Sequence, residues 1–215
     1  KMDWQHFRRA NWEAGQGGAL LKFTTGAERW AIEATTDHLY GGRGKASIRW
    51  GMAEGMASLK AGFRLSRVDA GKVLAVGDGR SPIAGTADVS LDLFSVGGTP
   101  EELLAALGGR GRFNVINGTL LDPGLVRYLS DGSESLTFSQ LLGSFEIGQG
   151  IGRTKDLLLR TSSMSLVGTG EVDLAKAYVN IDLRSITRTS TSDNRPAVKP
   201  FRIEGPIAAL TTESR

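Results

Sequence analysis

Two histidines, His6 and His38, stand alone in a chain of 215 residues that contains no cysteine. Histidine is the commonest general base and metal ligand, yet these two lie far apart and neither has ligand or triad spacing around it. Without cysteine there are no disulfides and no thiolate metal sites. No G-x-S-x-G nucleophile elbow occurs. The glycine runs are the next candidates, as phosphate cradles. In "GGRGKAS" (41–47), Gly44-Lys45 is followed by Ala46, and the place of the first P-loop glycine is held by Leu39. "GQGIGR" (148–153) follows a strand-like run, but no βαβ unit surrounds it, so a dinucleotide site does not follow. Arg110 and Arg112 in "GGRGRF" have the chemistry to meet phosphate and read instead as solvated charges at a turn. Asp88 and Asp92 share the polar face of one alternating run. Paired carboxylates need a cleft and a partner acid, and none is recognisable, so these two read as a solvated face. His38 falls in phase with Trp30, Ile32 and Ala34 and reads as a packed or edge residue. No catalytic residue, metal site or cofactor is expected, and the chain reads as no enzyme.

The bulk numbers agree with a folded binding or structural protein. Hydrophobic residues are 40% and charged residues 23%, a globular balance. The 29 glycines show no collagen period and are scattered as turns and bulges require. A net charge of +3, with bases interleaved among acids, argues against nucleic acid as a partner. "KMDWQHFRRANWEAG" lacks the apolar core of a signal peptide. No window approaches the roughly 18 apolar residues of a spanning helix. Absence of cysteine fits a compartment where stray thiols are a liability, such as a periplasm, and cytosolic proteins also lack it at times.

What must position any site is a run of strands. Apolar and polar residues alternate from end to end: Trp30, Ile32, Ala34; Ala46, Ile48, Trp50; Leu59, Ala61, Phe63, Leu65; Ala87, Val89, Leu91, Leu93; Phe113, Val115; Phe145, Ile147; Val172, Leu174; Val179, Ile181, Leu183; Phe201, Ile203. Roughly a dozen strands, most with one wet face, predict a mainly β chain built on an antiparallel sheet. Asn117-Gly118 predicts a hairpin between "RFNVI" and "TLL", because both central residues of such a turn favour positive φ. Gly41-Gly42, Gly97-Gly98, Gly108-Gly109 and the glycines at 148, 150 and 152 predict further turns, and "STSDNRPAVKP" a polar loop. Helices are expected in three places. Thr99 caps "PEELLAAL", with Pro100 first, Glu102 reaching back to the cap N–H, and Gly108 at its end. Leu103, Leu104 and Leu107 form its apolar stripe. "PGLVRYLS" follows Asp122, with Leu125, Val126 and Leu129 as buried candidates, and a third turn is expected at 69–76.

At this middle segment the order "GTADVSLDL…GGTPEELLAALGGRGRFNVINGTLLDPGL" resembles the C-terminal region of the AsmA family, large envelope proteins related to TamB-like and other bridge-like lipid-transport proteins. The resemblance continues through "LTFSQLLGSFEIGQGIGRTKDLLLRTSSMSLVGTGEVDLAKAYVNIDL" to "KPFRIEGPI". It covers 84–207 closely and 18–76 more loosely, which divides the chain into β-groove repeat units over 1–78 and an AsmA-like C-terminal β domain over 79–215. The chain departs from the pattern where "DPGLVRYLS" is followed by little extra helix. The family supplies no catalytic residues to carry over.

The resemblance implies a long curved antiparallel sheet, an open groove or half-barrel with two or three short covering helices, whose apolar side holds lipid acyl chains. Removing a methylene from water is worth about 0.8 kcal/mol, so such a trough lowers the barrier to carrying phospholipid or another acyl-chain lipid across an aqueous space. Ala87, Val89, Leu91, Leu93, Phe113, Val115, Phe145 and Ile147 are then the groove candidates. The capped helix would lay its leucine stripe on part of the trough. The implied setting is periplasmic, with an inner-membrane anchor outside this chain and with other envelope proteins as further partners. The competing expectation is a structural or interaction β-sandwich that fills its own apolar face and binds no lipid.

Overall fold

A computed structural model describes all residues except 6, 10, 11, 15, 24–27, 76–80, 130–133, 187–198, 207–210 and 215. Part of the polar loop expected before the last strands, and His6, lie outside the described residues. The strands are β1 (Met2–Trp4), β2 (Phe7–Arg9), β3 (Trp12–Ala14), β4 (Gly17–Phe23), β5 (Glu28–Leu39), β6 (Gly42–Ala53) and β7 (Met56–Asp69). There follow helix α1 (Ala70–Leu74), β8 (Ile83–Gly97), α2 (Pro100–Ala105), β9 (Gly108–Leu120) and α3 (Pro123–Leu129). The chain continues as β10 (Leu136–Gly148), β11 (Ile151–Arg160), β12 (Ser165–Asp173), β13 (Tyr178–Ser185), β14 (Phe201–Pro206) and β15 (Thr211–Ser214).

From β4 to β15 each strand pairs antiparallel with the next, so the sheet is one long meander, and its first and last strands are not paired with each other. It is mainly β and not closed into a barrel. It is strongly curled all the same. Helix α3 follows β9 yet touches β15. On a flat sheet those two strands would lie about 29 Å apart at roughly 4.8 Å per strand. A seven-residue helix spans only about 10 Å. Curling also brings Val68 of β7 into one core cluster with Phe201 and Ile203 of β14.

The three expected helices are all present, and their caps show why. Asp69 accepts the Lys72 N–H at 3.2 Å, and Asp122 accepts that of Leu125 at 2.9 Å. Thr99 accepts the Glu102 N–H at 3.2 Å, as expected of the capping residue. The return bond differs: the Glu102 carboxylate accepts from Gly98 N at 2.7 Å, one residue before the cap. Thr99→Ala is therefore expected to cost about 0.5–2 kcal/mol, and a thermal melt unchanged from the parent would refute the cap's role. The helix ends earlier than its glycine suggested. Its C-cap is Ala106, and Gly108 and Gly109 already belong to β9 rather than to a turn.

Two-residue hairpins fall at Tyr40-Gly41, Glu54-Gly55 and Gln149-Gly150, each with both φ values between 50° and 82° as type I′ turns require. The first sits one residue before the expected Gly41-Gly42. Asn117-Gly118 is not a hairpin. β9 runs straight through it, pairing Leu120 with Leu136 at one end and Gly109 with Ile147 at the other. Asn117 alone has positive φ, 51°, and acts as a bulge that turns Gly118 inward. Similar register shifts occur between Thr36 and Leu39 and between Leu65 and Val68. Each moves the alternation by one, which explains why His38 is exposed while Leu39 is buried. Leu174 lies beyond the end of β12 and is exposed.

Candidate functional site: the inner face of the sheet

The two faces of this sheet differ in chemistry because the strand period of two sorts side chains by parity. The outer face carries charge. Asp92, Arg110, Glu146, Arg153 and Glu171 are successive cross-strand neighbours from β8 to β12. Arg64 clamps Asp92 with both carboxylate oxygens at 2.9 Å, and Arg153 meets Glu171 at 3.5 Å. Asp88 accepts the backbone N–H of Arg67 at 3.0 Å. The two aspartates weighed as a carboxylate pair are thus register pins. They are held apart by different partners.

The inner face is apolar across the strands. One row reads Ile32, Ile48, Ala61, Leu93, Gly109, Ile147, Gly152, Val172, Val179 from β5 to β13. The next reads Ala34, Ala46, Phe63, Leu91, Gly111, Phe145. All eight groove candidates named above lie on this face. Ala87 pairs with Val115, Val89 with Phe113, and Leu91 and Phe145 flank Gly111 on either side. Phe113 and Phe145 stack with centroids 5.8 Å apart. Large side chains alternate with glycine from β8 to β12 along the first row and from β8 to β10 along the second, so neighbours fold over the gaps. A Cβ on Gly111 would come within 3.1 Å of Leu91, and one on Gly143 within 3.2 Å of Phe113.

This face has two regions. At one end of the strands Ala70 of α1 and Val126 and Leu129 of α3 lie on it with Ile83, Ala87, Val115, Leu120, Phe138, Leu159 and Leu166, all buried. Ala87 and Val115 are 3% exposed and belong to this sealed core. Toward the other end Leu91, Leu93, Phe145 and Ile147 are only half-buried, and Val89 and Phe113 sit at the margin of the core. The covering helices are therefore α1 and α3. The capped helix α2, expected to lay its leucines on the sheet, has no buried residue, and Leu104 is 37% exposed. Its attachment is polar and at the strand ends: Ser95 Oγ donates to the Leu103 carbonyl, and Gly150 N donates to that of Leu107 at 2.9 Å.

Nomination of eight residues left out the N-terminal continuation of the same face. Trp30 and Trp50 stack there with centroids 6.1 Å apart, beside Leu59, and Ile32, Ile48 and Phe63 are half-buried. Their alternation was legible; their register with Leu91 and Leu93 was not. Among the described residues no group of three or more His, Cys, Asp and Glu side chains is placed to hold a metal ion. No helix among them is long and apolar enough to cross a membrane.

No curated protein and no solved structure matches the chain. The sequence model of the AsmA family does, over residues 18–157, and that stretch contains β4 to β10 with all three helices. With a match across more than half its length, on the strands that carry the two-region inner face, this chain belongs to the AsmA family, a family of bacterial envelope proteins.

Proposed function

We propose that the inner face is an acyl-chain trough, and that this chain is a non-enzymatic module supporting phospholipid transport between inner and outer membranes and outer-membrane assembly. One observation carries the reading. Apolar side chains run in register across nine strands and stay half-exposed at Leu91, Leu93, Phe145 and Ile147, while the opposite face is laddered with charge. A soluble sheet normally covers such a face with its own chain. Here α1 and α3 cover only one end. The setting that suits this chemistry is the periplasm, with an anchor outside this chain and a phospholipid or other acyl-chain lipid as partner.

A second reading has its own observation: Ala87 and Val115 are sealed by the protein itself, as in a structural domain that binds no lipid. Photo-crosslinking to a phospholipid probe, scanned along the strands, separates the two. Crosslinks are expected at Leu91, Leu93, Phe145 and Ile147, and not at Ala87, Val115, Asp88 or Asp92. Leu91→Gln is expected to cut lipid capture with a modest loss of stability. Val115→Gln buries an amide without partners and should cost about 1–3 kcal/mol. Absence of crosslinks at all four half-buried positions, with no phospholipid in native mass spectra, would leave the structural reading alone.

A further inference from the structure

On three adjacent strands the outer face replaces its charged pattern with an apolar row. Leu142 of β10, Leu158 of β11, Val167 of β12 and Arg184 of β13 are direct cross-strand neighbours. Three apolar side chains in a row end on a cation. All three are half-buried, and Ile186, 48% exposed, extends the apolar floor beside them. These residues line an open groove of about 610 Å³, which also takes in Lys155 and Arg160. That volume falls in the range of roughly 300–1,000 Å³ usual for small-molecule sites. The groove includes Lys155, Asp156 and Leu157, at the register shift between Thr154 and Leu157, and bulges of this kind bend their strand locally.

The charges around the groove are unevenly matched. Asp182 is held by Arg202 at 3.0 Å. The Asp156 carboxylate accepts from Ser144 N at 2.8 Å and Ser144 Oγ at 2.7 Å. Burial works to raise the Asp156 carboxyl, and the hydrogen bonds from Ser144 and Thr154 outweigh it, so it lies below its ordinary value. Both acids are thus committed to partners of their own. Among the described residues the Arg160 side chain reaches only the neutral Gln140, at 3.5 Å. Lys155 and Arg184 have no ion pair or hydrogen-bonding partner among the described residues. The groove therefore offers an apolar strip about 10 Å long, two strand spacings, with Arg184 at one end and Lys155 and Arg160 on its two flanks, none of the three paired with an acid among the described residues.

We propose that this outer-face groove binds a single-chain anionic amphiphile, a fatty-acid-like carboxylate, with its tail on Leu142, Leu158 and Val167 and its head on Arg184. The apolar floor is one side-chain row wide, flanked by Arg160 and Ser165 on one side and Asp156, Thr169 and Asp182 on the other, which suits one tail and not the two of a diacyl lipid. The site stands on the opposite face from the trough and does not depend on the inner face binding lipid.

Fluorescence titration of the purified chain with dansyl-undecanoic acid tests this. A saturable rise is expected, displaced by dodecanoate. Arg184→Gln is expected to weaken binding about tenfold, the usual scale for a hydrogen bond to a charged group, and Arg184→Lys to recover part of it. Leu158→Gln should weaken it as well. The exposed Arg184 tests the site even where Leu158→Gln fails to fold. Leu91→Gln, on the other face, should leave the affinity unchanged, and dodecanol should displace the probe at least about tenfold less well than dodecanoate. The proposal is overturned by absence of saturable binding or by equal displacement by dodecanol. Loss of binding in Leu91→Gln with parental affinity in Arg184→Gln overturns it too.

Discussion

Phe201→Ala is expected to lower the stability of the chain by about 3–5 kcal/mol, the scale of emptying a fully buried aromatic site. Phe201 is wholly inaccessible and lies opposite Leu183, near the C-terminal end of the sheet. Its cluster nevertheless includes Val68, Ala87 and Val126, from strands and a helix far earlier in the chain. The curl of the sheet rests on that shared core, so the cavity should be felt throughout and not as local fraying. Domains are stable by only about 5–15 kcal/mol, so a loss of this size moves a urea midpoint plainly. Leu93→Ala is the matched control. Leu93 faces the same way but is half-exposed, and part of its transfer energy is never gained on folding. Equal losses from the two substitutions would refute the division of the inner face into a sealed and an open region.

Gly118→Ala is expected to cost about 1–3 kcal/mol, for a reason that local sequence does not show. A Cβ there would lie 2.1 Å from the tip of the Phe138 ring and 2.5 Å from the Ala84 carbonyl oxygen. Gly118 is the place where the Phe138 ring crosses β9, and Asn117 beside it carries the positive φ. Asn117→Gly should accordingly be nearly neutral, since glycine takes that conformation at no steric cost. Phe138→Leu should relieve part of the Gly118→Ala loss, with the Ala84 carbonyl limiting the rescue. Additive losses in that double-mutant cycle would place the strain in the backbone turn originally read from "NG" and not in the ring contact.

That reversal shows how information divides between sequence and fold here. Asn-Gly is a strong hairpin signal in isolation, and its dihedral preference was read correctly at Asn117. Whether the chain then reverses or merely bulges depends on what β8 and β10 offer on either side, and those strands pair with β9 along its whole length. The leucines of α2 were misread for a related reason. Helical spacing identifies an apolar stripe, but not the distance to the nearest face. Thr99 and Glu102 anchor α2 at the strand ends, where its leucines stay partly exposed. His38 failed by one position, at a bulge with no marker residue of its own.

The sequence by itself determined the strand content, the three helix sites with the Thr99 cap, and the apolar parity of Ala87 through Leu93, Phe113, Val115, Phe145 and Ile147. It carried the family as well. The elements follow from local chemistry: a period of two, a short side chain that accepts an N–H bond, and proline at the first turn of a helix. Only the tertiary structure decided which of those eight residues are sealed and which stay open, because that rests on where α1 and α3 land across a curled sheet. The outer row Leu142–Leu158–Val167–Arg184 was likewise invisible beforehand. Its members are unremarkable within their own strands, and they become neighbours only through register, which one bulge in β11, met in its pairing with both β10 and β12, sets by long-range pairing.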